Sequence, residues 1–308
     1  MIISVTLNPM LDKTVHLDAI HKGHIQRAVR VGSIVGGKGV NLSRQLTTWG
    51  RDTLATGFLG GEIGTMLERL LDEEGIRHSF VHVAGMTREG VTYVEADGTS
   101  TGIFEPPHEV SAGEADQLLH RLRTLRKGAS WMVLSGSSPC PATDDVFRVA
   151  LKEARENGIR TVLDSYGETF ARGVQNGPDI VKPNREEIEH TFGVRLAGET
   201  DVVDALQRLM DDGVPTVIIT DGGRACYAAS YGGKWRVIPP VVETVNATGS
   251  GDTMIAALLY GLEEGWEFER ALVFGIAAGA ANARRWAVAD VPLQEAEKLM
   301  PEVHIERL

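Results

Sequence analysis

Six short runs of apolar, β-prone residues recur along the chain, at 2–7, 53–58, 131–134, 161–164, 180–181 and 216–220. The first, Ile2-Ile3-Ser4-Val5-Thr6-Leu7, stops at Asn8-Pro9, because proline has no amide hydrogen to continue a central ladder. Between the runs the spacing of apolar positions changes from strand-like to helical. Residues 62–74 place Met66, Leu67, Leu70 and Leu71 on one face and stop at Gly75. Ser111-x-x-Glu114 is a capping box that opens a helix to about residue 125, and further helices are predicted to end at Trp49-Gly50, at Asn157-Gly158 and near Asp212. Gly57-Phe58-Leu59-Gly60-Gly61 reads as a turn. Buried strands alternating with helices predict an α/β fold, with a mostly parallel central sheet and helices on both its faces.

Two stretches break this rhythm. Residues 15–34 alternate loosely and are rich in histidine and basic side chains, while 91–95 and 99–104 flank Ala96-Asp97-Gly98, a hairpin signal. They are expected to pair into a small β-sheet lid, about 12–35 and 88–107, over the mouth of a site on a single domain of residues 1–308. A second hairpin is expected around Gly232-Gly233. A strand is then expected to lead into Thr248-Gly249-Ser250-Gly251-Asp252-Thr253, followed by two apolar helices that meet near Gly265.

Composition narrows the function classes more than the fold. A net charge of −11 argues against a nucleic-acid surface or an anionic membrane as partner, so the cations for any anionic substrate must be gathered locally. The apolar run 271–281 is too short and too rich in Gly and Ala to span a bilayer, and Met1-Ile2-Ile3-Ser4 lacks the basic start of a signal peptide; a cytoplasmic protein is expected. Cys140 and Cys226 fit no metal spacing and read as reduced structural thiols. With 308 residues, 43% of them apolar, and no repeat or linker, one substantial core is expected.

Candidate chemistry gathers where strands end and helices begin. Gly249-Ser250-Gly251 can converge backbone amides at a helix N-terminus, a site for a phosphate or a transferring phosphoryl group. Asp252, in the first turn, either complements the helix dipole or acts as a base toward an alcohol. Asp12 stands just past the first strand, where open α/β sheets bind ligands, or is a turn carboxylate. Gly36-Gly37-Lys38-Gly39-Val40-Asn41 opens a second helix; Gly39 replaces the Ser or Thr of a P-loop, which excludes a Walker site. Lys38 is then available to a phosphate or hydroxyl, against the plainer reading of a Gly-rich turn. Arg88, entering the hairpin, would be placed by such a lid to meet an anionic substrate, against the plainer reading of an isolated surface arginine. Asn184 and Glu187 form a capping pair and equally suit magnesium-bound waters. A nicotinamide site is excluded, since Asn8-Pro9-Met10 follows the first strand where Gly-x-Gly-x-x-Gly belongs.

Thr6-Leu7-Asn8-Pro9 with Asp12, Gly36-Gly37-Lys38-Gly39 with Asn41, Ser135-Gly136-Ser137, Asp164-Ser165, Lys182-Pro183-Asn184 with Glu187, and Gly249-Ser250-Gly251-Asp252 occur in this order along nearly the whole chain. In this ordered set the chain resembles the ribokinase-like sugar kinases, specifically the phosphofructokinase-B family and its 1-phosphofructokinase and tagatose-6-phosphate kinase branch. The resemblance implies an ATP- and magnesium-dependent kinase acting on a hydroxyl of fructose 1-phosphate or tagatose 6-phosphate. The alternatives are fructose 6-phosphate, an unphosphorylated sugar or a nucleoside. It implies that Asp252 is the base, that Gly249, Ser250 and Gly251 form the anion hole, and that Asp12, Gly37 and Asn41 hold sugar hydroxyls. Lys38 and Arg88 would serve the substrate phosphate, Asn184 and Glu187 the magnesium through water, and Lys182, Asn184, Thr220 and Gly222 the nucleotide. A homodimer through the lid is also implied. Val245-Asn246-Ala247-Thr248 departs from the family pattern, which leaves a monovalent-cation requirement open.

Overall fold

A computed structural model describes all residues, 1–308. Its strands are β1 Ile2–Thr6, β2 Met10–Leu17, β3 Arg30–Gly36, β4 Thr53–Gly60, β5 Val81–Val83, β6 Arg88–Glu95, β7 Ser100–Phe104, β8 Trp131–Ser135, β9 Arg160–Asp164, β10 Ile180–Val181, β11 Thr216–Ile219, β12 Cys226–Ser230, β13 Gly233–Ile238 and β14 His304–Arg307. Its helices are α1 Lys38–Thr48, α2 Gly61–Glu73, α3 Ala112–Leu125, α4 Val146–Glu156, α5 Gly167–Val174, α6 Arg185–Phe192, α7 Glu199–Asp211, α8 Ser250–Glu263, α9 Phe268–Ala283 and α10 Leu293–Leu299.

Ten strands form one sheet in the order β14-β13-β12-β11-β10-β9-β8-β1-β4-β5. The pairings from β5 to β11 are parallel, and β12, β13 and β14 close one edge antiparallel. Strand side chains alternate between two helical layers. Ile3, Met132, Leu134 and Val217 pack with Leu118 and Leu122 of α3, Phe147 of α4 and Leu206 of α7. Ile2, Trp131, Val133 and Ile218 face the other way, onto Leu42 and Leu46 of α1, Leu258 of α8 and Ile276 of α9. The expected mostly parallel sheet, covered on both faces, is what forms. Because all the parallel strands point one way, their C-terminal ends share one edge.

A second sheet of four strands, ordered β3-β2-β6-β7, stands beside that edge. Residues 15–34 and the hairpin pair through β2 and β6, which run parallel with Asp12 opposite Gly90. Opposed residues share a face, so Asp12, Arg88, Gly90 and Phe104 lie on one side of this sheet, and Val15, Val31, Val91, Tyr93 and Ile103 on the other.

Two readings of the sequence are corrected. Residues 57–61 are not a turn: β4 continues through Gly60 straight into α2. The glycines are there for close approach, since a Cβ on Gly57 would lie 1.8 Å from the Thr6 carbonyl oxygen and one on Gly60 1.9 Å from that of Gly85. Nor does a strand lead directly into Thr248. β13 ends at Ile238, and residues 239–249 cross the sheet edge as an irregular segment that starts with Pro239-Pro240. β5, β14, α5 and α10 were not anticipated. No helix is long and apolar enough to cross a membrane.

Gly57→Ala is therefore expected to cost at least about 3 kcal/mol, since it combines φ +149° with a backbone clash. Gly50→Ala, also at positive φ but in open space, is expected to cost only about 1 kcal/mol. Urea denaturation of the two variants measures the difference, and equal midpoints would refute the packing explanation.

Candidate active site

The strand ends and the small sheet enclose a cleft of 580 Å³, within the size range of small-ligand sites. Asp12, Gly37, Lys38, Asn41, Arg88, Lys182, Asn184, Thr220, Gly222, Gly249, Ser250, Gly251 and Asp252 all line it. Glu187 lies just behind, joined to the cleft through Lys38. Every residue singled out in the sequence thus converges on one place, although they come from six separate stretches of chain.

Local sequence explains the floor. Gly249 adopts φ +78°, and a Cβ there would come within 2.6 Å of Val288 Cγ1, so only glycine fits before α8. The Ser250 amide donates to the Ala247 carbonyl. The amides of Gly251 and Asp252, with no earlier helical turn to donate to, are the free ones at the positive end of the helix. Below them α9 comes very close: a Cβ on Gly279 would lie 3.0 Å from the Ser250 carbonyl oxygen. Asn282 of α9, wholly buried, donates to the Thr248 carbonyl at 2.8 Å and to Ser250 Oγ at 3.0 Å, and accepts from the Ala289 amide. Nothing in the local pattern around Asn282 distinguishes it from a helix-interior asparagine.

Asp252 is 7% exposed and accepts a hydrogen bond from Asn41 Nδ2 at 2.8 Å. Asn41 Oδ1 in turn accepts from Arg44, which is itself paired with Glu74. Burial, followed by the charge of Asp164, pushes the Asp252 carboxyl up to about 6; Lys38, the Asn41 bond and Lys182 act in the opposite direction.

Asp164 ends β9, and its carboxylate is fully buried between two ammonium groups, Lys38 at 2.9 Å and Lys182 at 3.4 Å. Burial alone would raise its pKa, but Lys182 and Lys38 outweigh that and hold it below the ordinary value. Lys38 also donates to Glu187 at 2.5 Å. Burial opposes its charge, yet Asp164, Glu187 and Asp252 together keep the ammonium firmly protonated. The Lys182 ammonium reaches the Gly249–Gly251 turn, 3.3 Å from where a Gly251 Cβ would stand. Asn184 and Glu187 form the expected capping box, each side chain accepting from the other's amide at 2.8 Å.

The two ends of the cleft differ. At one, Thr220, Gly222 and Gly223 follow β11 and line the cleft. At the other, the small sheet contributes Asp12, whose pKa is raised by burial against the opposing charge of Arg44. Arg88 is there too, its pKa lowered by burial and raised in turn only by the Tyr166 phenol. Asp164 and Tyr166 belong to this site and were given no role from the sequence; the signal was the polar Asp-Ser-Tyr directly at the end of an apolar strand.

Residues 5–294 match the pfkB family carbohydrate kinase. A 1-phosphofructokinase of Borreliella burgdorferi is 28% identical over 309 residues, covering 99% of this chain and 98% of that protein. Among solved structures, phosphofructokinase-2 of Escherichia coli in complex with potassium is similar with a TM-score of 0.90 at 26% identity, over 97% of this chain and 98% of that one. Arabidopsis thaliana ribokinase complexed with ribose and ATP gives 0.77 at 22% identity, over 97% and 98% of the two chains, a likeness of fold alone.

Asp164→Asn is expected to move the Asp252 titration to lower pH, because it removes a buried negative charge and frees Lys38 and Lys182 to compensate Asp252. Carboxyl NMR of Asp252 in the two proteins measures this. An unchanged midpoint would leave burial as the sole cause.

Proposed function

The chain belongs to the pfkB family of carbohydrate kinases, and from that premise we propose that it transfers the γ-phosphoryl group of ATP to a free hydroxyl of a ketohexose phosphate, fructose 1-phosphate or tagatose 6-phosphate, with Asp252 as general base. The observation that carries this reading is Asp252 itself. It is a buried carboxylate with a pKa near 6, fixed by Asn41 beside the free amides of Gly251 and its own backbone. A base poised just below neutrality is mostly ionised at pH 7 and still basic enough to take an alcohol proton.

In the step, the substrate hydroxyl gives its proton to Asp252, its oxygen bonds to the γ-phosphorus, and the bond to the ADP oxygen breaks. The protein's task is positioning and charge neutralisation. The Gly249–Gly251 turn and Lys182 would face the transferring group. Thr220, Gly222 and Asn184 would lie along the nucleotide. Asp12 and Gly37 would hold sugar hydroxyls, Asn41 holding Asp252 as well, and Lys38 and Arg88 would serve charged oxygens on either side of the reacting bond. Magnesium, when bound with ATP, supplies further neutralisation of the phosphates. No cluster of three or more His, Cys, Asp or Glu side chains could enclose a metal. Magnesium keeps its waters and takes few carboxylates. The unpartnered buried oxygen Asp164 Oδ2, with Asn184 and Glu187 acting through water, fits that requirement.

On the face of the small sheet that carries Asp12 and Arg88, Phe104 stands opposite Gly90. It lies against Gly90 and Gly102, where a Cβ on Gly102 would meet its ring at 3.2 Å. The opposite face carries Val31 and Ile103, 58% and 63% exposed, which supports a homodimer formed through this sheet.

Two measurements test the reading. A coupled ADP-release assay, containing magnesium and potassium because the Escherichia coli relative was solved with potassium, is run against fructose 1-phosphate, tagatose 6-phosphate, fructose 6-phosphate and fructose. One of the first two is expected to have the highest kcat/KM, and inactivity on all four would overturn the proposal. Asp252→Asn is expected to lower kcat by at least about a thousandfold. The wild-type rate should fall as pH drops through about 6, where Asp252 takes up its proton. The linkage sign for stability is opposite to activity. The folded pKa lies above the unfolded one, so the charged aspartate burdens the fold at pH 7, and Asp252→Asn should raise Tm there.

A further inference from the structure

Among the buried titratable side chains that the mechanism leaves unused, His108 stands nearest to Arg88 of the cleft. His108 is 6% exposed, and neither ring nitrogen has a hydrogen-bond partner. An orphaned buried polar group is uncommon because it forfeits its hydration without replacement. A third orphan stands close by: Arg88 Nε, also buried and also unpartnered. The chain brings them together, since residues 105–109 run alongside 85–89. The Glu105 amide donates to the Glu89 carbonyl at 3.0 Å, and a Cβ on Gly85 would lie 2.3 Å from the Glu109 carbonyl oxygen. His108 is thereby held beside the start of β6, behind the arginine that faces the cleft.

The environment keeps the ring neutral. Burial, then the positive charge of Arg88 from β6, holds the His108 pKa below its ordinary value, opposed only by Glu114 from α3. That carboxylate is engaged by Ser111 and by the amide of Ala84. A neutral imidazole offers one acceptor nitrogen, and Arg88 Nε–H is a donor without an acceptor. If Nε–H is turned toward the ring behind it, the two terminal nitrogens of the planar guanidinium point together into the cleft. That fork matches two oxygens of a phosphate monoester.

We propose that His108 is a positioning residue for Arg88: it accepts the Nε–H bond when the sugar phosphate enters, and so fixes the guanidinium fork that recognises the substrate's phosphate. This rests on the reading of the cleft as a ketohexose-phosphate kinase site. His108 does not touch the reacting atoms. Its effect is confined to binding of the phosphorylated sugar.

The test compares His108→Phe, which fills the space without an acceptor, with His108→Gln, whose amide oxygen can accept from Nε–H and does not titrate. Each is assayed with magnesium-ATP and the ketohexose phosphate that the wild-type enzyme prefers. His108→Phe is expected to raise KM for the sugar phosphate about tenfold or more, on the scale of losing one hydrogen bond to a charged group, with kcat and the KM for ATP unchanged. His108→Gln is expected to restore most of the affinity. An unchanged sugar-phosphate KM in His108→Phe, a glutamine variant no better than phenylalanine, or a parallel rise in KM for ATP would each overturn the role. If His108→Phe does not fold, His108→Ala replaces it under the same criteria. Absence of turnover by the wild-type protein on any ketohexose phosphate would instead overturn the underlying reading of the site, an outcome visible before any variant is made.

Discussion

Two carboxylates, Asp164 and Asp252, are buried at the floor of one cleft, and the structure can hold both because Lys38 and Lys182 stand among them. Unpaired, each buried charge would be driven to neutrality. Instead the lysines spend their charge mainly on Asp164, which stays firmly ionised, and leave Asp252 only partly compensated. The unequal sharing turns two chemically identical groups into a fixed anion and a proton acceptor. It also explains why the constellation draws on distant stretches of chain: one charge is legible locally, but the balance exists only when β9, β10, α1 and α8 meet.

The architecture makes that meeting unavoidable. Parallel strands deliver their C-terminal residues to a single edge, so Thr6, Ser135 and Asp164 arrive side by side, Val181 and Ile219 end the next two strands, and the polar residues after them share one space. α1 and α8 then begin at the same edge and point their N-termini into it. Rigidity at the critical turn comes from below, where Gly279 lets α9 pack against the first turn of α8 and Asn282 ties down the loop that precedes it.

Much of this was legible in the sequence, for identifiable reasons. The βα alternation, the Ser111 capping box and the hairpin at Asp97-Gly98 are local patterns and needed no partner to be read. The glycine-rich turns at 36–39 and 249–251 announced helix starts with space for an anion. What escaped depends on contacts between distant residues. Gly57 and Gly60 look like a turn because sequence cannot tell a glycine that bends from one that admits a neighbouring backbone. β5 and β14 are too short for a period, and their strand character comes from the partners they pair with. Asn282, Arg44 and His108 sit in otherwise ordinary surroundings, and their significance lies in what is packed against them.

The parallel pairing of β2 with β6 carries a consequence for how the cleft empties. Asp12 and Arg88 project from the same face of one hydrogen-bonded ladder, with Met10 opposite Arg88 and Asp12 opposite Gly90. β2 begins just four residues after β1 ends, so the ladder is hinged on a very short tether at Leu7-Asn8-Pro9. Any swing of the small sheet withdraws both side chains in a single displacement. On the proposed reading, in which Asp12 meets a sugar hydroxyl and Arg88 the phosphate, a bound sugar would lose both holds together rather than one after the other.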